Sequence, residues 1–307
     1  MTAARERHHM TSTRRSAKPA VRWMGVLGLA ILAVPGLAVA QRPTDLFVER
    51  TATIVAGYRC GLFTTQVAAA LAASAQQARG AALRAGTDMK TLKALEEDAR
   101  YRANRLDCKS PQVLNAAARV REAFAGYERI TRMIYPGDVA NWRADRGTGK
   151  AARWRLAQEV RFGTDRMTFG LAGWEGANGL VAVSTFSDGR TPYAARLILR
   201  DGAKTLGPYL VVTGGTSRLS QKLPPRAATR GYLAEARSAA GADLLPKDIK
   251  AGWAFRFPAA AAQALVELDP REAIAVEFLF SGERVRTAYV EVGDFAAGRA
   301  FLQMASR

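Results

Sequence analysis

The period of the hydrophobic pattern changes once along this chain of 307 residues, and this change constrains the fold more than any other feature. Between residues 44 and 135, apolar side chains recur at helical spacing. After Lys150 the period becomes two, as in "RWRLAQEVRF", residues 153–162, where apolar and charged side chains alternate. A helical stretch followed by a strand-rich stretch predicts an α+β protein.

Four helices are expected in the first part, packed as an antiparallel four-helix bundle. Gly86 marks the end of the second helix, Thr87 or Asp88 caps the third, and Ser110-Pro111 begins the fourth. Apolar residues of the fourth helix alternate spacings of four and three, which indicates a seam packed against other helices. That seam consists of Val113, Ala117, Val120, Phe124 and Tyr127.

Residues 153–307 predict an antiparallel β-sandwich or barrel, since short alternating segments are separated by turn sequences. One inserted helix is expected at residues 258–270, and a C-terminal helix follows Asp294. Residues 136–152 are polar and without a pattern, so we expect a linker there. The expected domains are a signal peptide at 1–40, a helical domain at 41–135, the linker at 136–152 and a β-rich domain at 153–307.

The last hairpin is predicted to turn at Ser281-Gly282, with a two-residue loop. That register places Glu277 opposite Arg286, as an ion pair on the outer face of the sheet. Glu291 remains as one charge on the apolar face, with no partner that the pattern identifies.

The N-terminus predicts a secretory signal peptide. A basic head is followed by the apolar run "WMGVLGLAILAVPGLAVA" of 18 residues, which ends in small residues. Cleavage is expected between Ala40 and Gln41. The alternative is an uncleaved membrane anchor, for which a run of this length is marginal. The expected location is therefore periplasmic or secreted.

Cys60 and Cys108 are the only cysteines, and in an exported chain two cysteines usually pair. They fall near the ends of the first and third predicted helices, which lie at the same end of an up-down bundle. Two free thiols or a metal pair are the alternatives. A disulfide that closes this loop should stabilise the chain by about 4 kcal/mol.

Without residues 1–40, the chain holds 39 Lys and Arg against 26 Asp and Glu, a net charge of about +13. This charge favours anionic partners such as an envelope polymer or a membrane surface. The sequence shows no contiguous basic stripe, and export argues against a genomic partner, so no nucleic acid is expected. Another envelope protein is the remaining partner class.

The only histidines, His8 and His9, lie within the expected signal peptide. The mature chain would therefore lack Ser-His-Asp and Cys-His catalysis and histidine-bound metals. Carboxylate, lysine or tyrosine chemistry and hard-cation assistance would remain. No catalytic residue, metal or cofactor is assigned from the sequence.

Two residues stand out as candidates for exposed binding positions. Trp174, in "LAGWEGANG", lies near a turn, and exposed aromatic side chains bind sugars and peptides. Arg218 ends the glycine-containing loop "TGGTSR", whose backbone amides are suited to an anion. The alternative interpretation of that segment is an ordinary surface loop.

The last 50 residues or so resemble the invasion-associated locus B type of secreted bacterial domain. Phe257-Pro258, a helix to Leu268, the strands "AIAVEFLF" and "RVRTAYVEV", and the ending with Gly293 and Phe295 carry the resemblance. That family usually has cysteines within the domain, whereas this chain has none there. The resemblance implies a secreted or envelope β-sandwich without enzymatic activity, and it transfers no functional residue.

These observations predict an exported cell-envelope protein that acts as a non-catalytic binding or interaction module. The alternative is a carboxylate- or metal-assisted hydrolase of cell-wall polymer, which requires two acids that converge in a cleft. A third possibility is an assembly factor with an apolar groove between its two domains.

Overall fold

The computed structural model describes residues 42–127, 129–149, 151–174, 177–210 and 218–304. The expected signal peptide and its cleavage site, Ala40 and Gln41, lie outside these residues. The described residues belong to one compact unit. The described part is an α+β structure with six helices, two antiparallel sheets and a disulfide.

Four helices come first along the described chain, as the period predicts. They are α1 (Pro43–Cys60), α2 (Thr65–Arg84), α3 (Met89–Asn104) and α4 (Pro111–Tyr127). α1 contacts α2, α3 and α4, and α4 also contacts α2. None of the helices in the described ranges is both long enough and apolar enough to cross a membrane.

Local sequence signals set the ends of these helices. Gly61 follows α1 in the left-handed conformation, with φ 62°. Asp88 caps α3, because its side chain accepts the amide proton of Thr91 at 2.8 Å. Ser110 does the same for Val113 in α4, at a longer distance of 3.4 Å.

The predicted disulfide between Cys60 and Cys108 is confirmed, with the two Cα atoms 5.6 Å apart. It joins the last residue of α1 to the segment before α4. Arg59 adds a second connection, because its guanidinium donates to the backbone carbonyl of Leu106. This end of α1 is therefore tied to the segment that leads into α4.

Eleven strands and two further helices complete the described fold. The strands are β1 (Arg132–Tyr135), β2 (Trp142–Asp145), β3 (Arg153–Phe162), β4 (Asp165–Trp174), β5 (Ala177–Thr185), β6 (Ala194–Arg200), β7 (Thr229–Leu233), β8 (Ala236–Ala239), β9 (Trp253–Phe257), β10 (Ala273–Phe280) and β11 (Arg284–Glu291). The helices are α5 (Ala259–Val266) and α6 (Phe295–Leu302). The seven-stranded sheet has the order β1-β2-β3-β4-β5-β9-β8, and the four-stranded sheet has the order β11-β10-β6-β7.

Both sheets and α6 contribute to one large hydrophobic core. Phe169 and Phe255 enter it from the first sheet, Phe278 from the second, and Phe295 and Phe301 from α6. All five side chains are fully buried. α2 packs along α6, so the helices and the sheets are joined through this contact.

Strands β1 and β2 extend the seven-stranded sheet into the expected helical domain and linker. β1 lies within residues 41–135, and β2 lies within residues 136–152. Trp142 of β2 is fully buried, and its indole Nε1 donates to the carbonyl of Val292 at 2.9 Å. The segment 136–152 is thus partly a structural strand, while independent folding of two domains stays a prediction.

The register of the last hairpin differs from the prediction by one residue. Phe280 pairs with Arg284, which leaves the three-residue loop Ser281-Gly282-Glu283. Glu283 has φ 56°, so the loop places a non-glycine residue in the left-handed region. Glu277 consequently lies opposite Thr287, and the predicted pair with Arg286 is wrong.

A β-bulge alters the alternation expected for β3. Trp154 pairs with Ala172 and Leu156 pairs with Leu171, so Arg155 is the extra residue. Arg155 is 3% exposed, although the simple alternation places it on the charged outer face. Its guanidinium donates to the carbonyl of Gly147.

Candidate functional site

A cleft of about 410 Å³ lies between α1, α2 and α4. Its volume falls within the range of about 300–1,000 Å³ that is typical of small-molecule sites. α4 contributes one whole side of the cleft. The residues that α4 places there are Ala116, Arg119, Val120, Ala123, Phe124 and Tyr127.

The cleft exists because α4 packs closely only along its first half. Val113 and Ala117 of the predicted seam are buried, at 5% and 1% exposure. Val120, Phe124 and Tyr127 continue the same seam, but they are half-buried and line the cleft. The second half of this apolar seam is therefore only partly covered: Phe124 and Tyr127 pack against the main core and also line the cleft.

The floor of the cleft is apolar and comes mainly from α2. Val67, Ala70 and Leu71 are buried and line it. The small side chain of Ala70 leaves room above the helix backbone, and one turn further on Ser74 continues the lining. This composition suits a ligand with a substantial apolar part.

Arg50 of α1 supplies a charge inside the cleft. Its Nη1 atom donates to the carbonyl of Ser74 at 2.8 Å, across to α2. Burial lowers the pKa of Arg50, while the nearby Glu49 and Tyr127 act in the opposite direction. Glu49 and Arg119 lie at the exposed rim.

Tyr127 closes one end of the cleft and connects it to the core. Its hydroxyl lies near that of Tyr135, and burial raises the pKa of both phenols. The ring of Tyr127 also meets Phe301 of α6 edge-on, with the centroids 5.9 Å apart. The cleft thus ends against the side chains that join the helices to the sheets.

The sequence-predicted binding candidates lie away from this cleft. Trp174, at the end of β4, is 57% exposed. Arg218 is exposed, and the rest of its loop, residues 213–217, lies outside the described residues. Neither residue lines the cleft. Their binding roles stay predictions.

Two carboxylates of the β-rich part lie near each other at the surface. Asp165 and Asp188 face a surface cleft of about 440 Å³ together with Arg286. Arg286 Nη1 lies 2.9 Å from Asp165 Oδ2, and its Nη2 donates to Asp188. Arg286 lowers the pKa of Asp188, so this acid is held ionised.

Glu291, which the sequence pattern left without a partner, is a structural residue. Its buried carboxylate accepts the amide protons of Asp138, Val139 and Ala140 at 2.7, 2.7 and 2.8 Å. Gln158 bonds the backbone of Glu291 from β3. The charge therefore holds the loop between β1 and β2 against the end of β11.

Sequence reasoning did not identify Arg50 or Tyr127 as site residues. The sequence signal for the cleft was the apolar seam of α4. It continues beyond Ala117, the last seam residue that is fully buried, to Tyr127. Within the described ranges, no cluster of three or more His, Cys, Asp or Glu residues could hold a metal ion.

Comparison of the chain with protein-family models, with curated proteins and with solved structures gave no match.

Proposed function

We propose that this chain is an exported, non-catalytic binding protein of the bacterial cell envelope, and that its ligand site is the cleft between α1, α2 and α4. The observation that carries the proposal is the half-buried apolar seam Val120, Phe124 and Tyr127, which lines a cleft of about 410 Å³. Apolar concave sites with a few convergent polar groups are typical of small-molecule binding.

The architecture behind this proposal is a four-helix bundle followed by a β-sandwich. In support of the bundle, α1 contacts each of the other three N-terminal helices. In support of the sandwich, side chains from both antiparallel sheets meet in one core. The resemblance of the last 50 residues to invasion-associated locus B domains is consistent with this arrangement.

Export is supported by the sequence pattern of residues 1–40 and by the disulfide. Disulfides persist in oxidising compartments and are rare in the bacterial cytoplasm. Cys60 and Cys108 are paired, and no free cysteine occurs in the described residues. A periplasmic or secreted location therefore accounts for both features.

The geometry of the acids favours binding over hydrolysis of cell-wall polymer. A glycosidase pair needs one acid with a raised pKa, able to donate a proton. Asp165 and Asp188 instead share the guanidinium of Arg286, and the pKa of Asp188 is lowered. We therefore place the function in the helical cleft rather than at this carboxylate pair.

An anionic surface is the partner class that the exposed groups favour. At the disulfide end of the helices, Tyr58 is 94% exposed and Arg59 lies beside it. Tyr101 is 59% exposed, and the guanidinium of Arg105 lies 5.4 Å from its ring centroid. Aromatic side chains mixed with arginines suit the interface of an anionic membrane. An anionic polymer or another envelope protein would meet the same groups.

A fluorescent probe tests the cleft directly. N-phenylnaphthylamine, which brightens in apolar surroundings, should bind the protein saturably at one site. Ala123→Trp should abolish this signal, because Ala123 lines the cleft from α4. Ala118→Trp is the matched control, since Ala118 is exposed on the same helix and does not line the cleft. Equal binding by the two variants, or no saturable binding at all, would refute the proposed site.

A further inference from the structure

The cleft has a polar end and an apolar end. Arg50, Ser74 and Tyr127 lie towards one end, as the bond from Arg50 to Ser74 and the charge interaction of Arg50 with the Tyr127 phenol indicate. Val67 lies towards the other end, seven residues before Ser74 on α2, which is about 10 Å at 1.5 Å per residue. An occupant that satisfies both ends therefore needs separate polar and apolar parts.

At the polar end of the cleft, the Arg50 guanidinium has more N–H donors than its hydrogen bond uses. A guanidinium carries five N–H groups in a planar fork. In the described part of the chain, Arg50 makes one hydrogen bond, from Nη1 to the carbonyl of Ser74. The Arg50 guanidinium is half-buried, so it has lost part of its hydration, and no acid among the described residues binds it in a bidentate way. A planar anionic group could accept hydrogen bonds from its remaining donors.

The charges around Arg50 are consistent with an anionic occupant. Glu49 opposes an anion, but its side chain lies on the exposed rim, where water and salt screen it. Arg119 lies on the opposite rim, on α4, and adds a second positive charge. Of the charged residues that line the cleft, Glu49 and Arg119 are exposed and Arg50 is half-buried.

The dimensions match a single extended chain. α4 lines the cleft from Ala116 to Tyr127, about 16 Å at 1.5 Å per residue. Apolar side chains along that length include Val67, Leu71, Val120 and Phe124, while Thr53 and Arg119 are polar members of the same lining. A highly polar ligand would leave these apolar side chains without an apolar partner.

We infer that the cleft binds a single-chain anionic amphiphile, with its headgroup on Arg50 and its chain along Val67, Leu71 and Phe124. This inference rests on the proposed function, and it adds the chemical class of the ligand. A free fatty acid and a monoalkyl phosphate share this chemistry.

The experiment compares ligands that differ only in the headgroup, by displacement of N-phenylnaphthylamine from the full mature chain. Laurate and dodecyl phosphate should displace the probe at least about tenfold more effectively than dodecanol, because hydrogen bonds between two charged groups are stronger than those of a neutral hydroxyl. A stronger effect of laurate assigns a carboxylate headgroup, and a stronger effect of the phosphate assigns a phosphate headgroup; either supports the inference.

Variants identify the residue that holds the headgroup. Arg50→Gln should remove the preference for the anionic ligands and leave dodecanol binding within about twofold. Arg119→Gln is the control, because Arg119 is exposed at the rim, and it should keep most of the preference. Thermal unfolding checks that each variant folds. If Arg50→Gln does not fold, Arg50→Lys serves instead. This variant should still bind the anionic ligands more tightly than dodecanol, but its preference for laurate should be weaker than that of the natural chain, because an ammonium lacks the planar fork that matches a carboxylate.

Three outcomes separate the two proposals. Equal displacement by laurate, dodecyl phosphate and dodecanol in the natural chain would overturn the headgroup inference, while probe binding would leave the cleft function standing. A preference that persists in Arg50→Gln would also overturn it. Absence of saturable probe binding would remove the proposed function itself.

Discussion

Arg84 of α2 and Asp294, the residue before α6, form a bidentate ion pair, with Nη1–Oδ1 and Nη2–Oδ2 distances of 2.6 and 2.8 Å. The Asp294 side chain is 1% exposed. Gly80 lies beside the pair, and a Cβ there would lie 2.0 Å from Asp294 Oδ1. The pair therefore joins the N-terminal helices to the last helix of the β-rich part, through a contact that only glycine permits.

Removal of one partner of this pair should be costly. Arg84→Met leaves the Asp294 carboxylate buried without a counter-charge, and we expect a loss of about 3–5 kcal/mol in the free energy of unfolding. Urea titration measures the loss. Arg100→Met is the control, because its pair with Glu96 is exposed and should contribute less than about 0.5 kcal/mol. Similar losses in the two variants would contradict a buried pair of structural importance.

Glu291 should be sensitive even to an isosteric change. Glu291→Gln removes the charge and leaves one oxygen to accept three backbone amides, so we expect about 3 kcal/mol of destabilisation. Chemical denaturation measures it. Glu159→Gln is the matched control on an exposed carboxylate, and it should change stability by less than about 0.5 kcal/mol. A neutral Glu291→Gln would mean that the loop at 138–140 does not depend on the charge.

Features with local sequence signals could be predicted. The helix ends at Gly86, Asp88 and Ser110 depend on one residue and its nearest backbone groups, so capping rules identify them. The pairing of Cys60 with Cys108 followed from cysteine count and helix order. In each case the determining contact is short-range or has few alternatives.

Other features depend on contacts that no local pattern contains. β2 has four residues, too few to show a period, and buried Trp142 is what places it in the sheet. The loop at Ser281–Glu283 took one residue more than the two-residue turn, because Glu283 adopts a left-handed conformation. A bulge at Arg155 likewise changed one face of β3. The α4 seam was recognisable, but the sequence does not show that its second half is only partly buried and lines a cleft.

The corrected hairpin register gives Glu277 different partners. Glu277 accepts from Arg196 Nε at 3.0 Å and from Arg226 Nη2 at 2.8 Å. A double-mutant cycle of Glu277→Gln with Arg196→Gln should give a coupling energy of about 0.5–3 kcal/mol, since the two residues share a contact. The same cycle with Arg286→Gln should give a coupling energy near zero. Strong coupling to Arg286 would instead restore the two-residue turn.

The disulfide should act as a single unit. Cys60→Ala and Cys108→Ala should each lower the free energy of unfolding by about 4 kcal/mol, and the double variant should lose no more than either single variant. Guanidinium denaturation under oxidising conditions measures the three losses. Addition of a reductant should bring the natural chain to the same stability. Additive losses in the double variant would show that the two residues stabilise the fold independently of their bond.

Asp188 should contribute a pH-dependent part of the stability. Its pKa is lowered in the folded state, mainly by the hydrogen bond from Arg286. A depressed folded pKa means that the contribution is fully present above the unfolded pKa of about 4, and is lost as the pH falls through the lower folded pKa. The stability difference between the natural chain and Asp188→Asn should therefore shrink as the pH is lowered below about 4. Denaturation midpoints at a series of pH values measure this difference. In an Arg286→Gln background, Asp188→Asn should no longer change the acid side of the profile; an unchanged effect there would assign the shift to a cause other than Arg286.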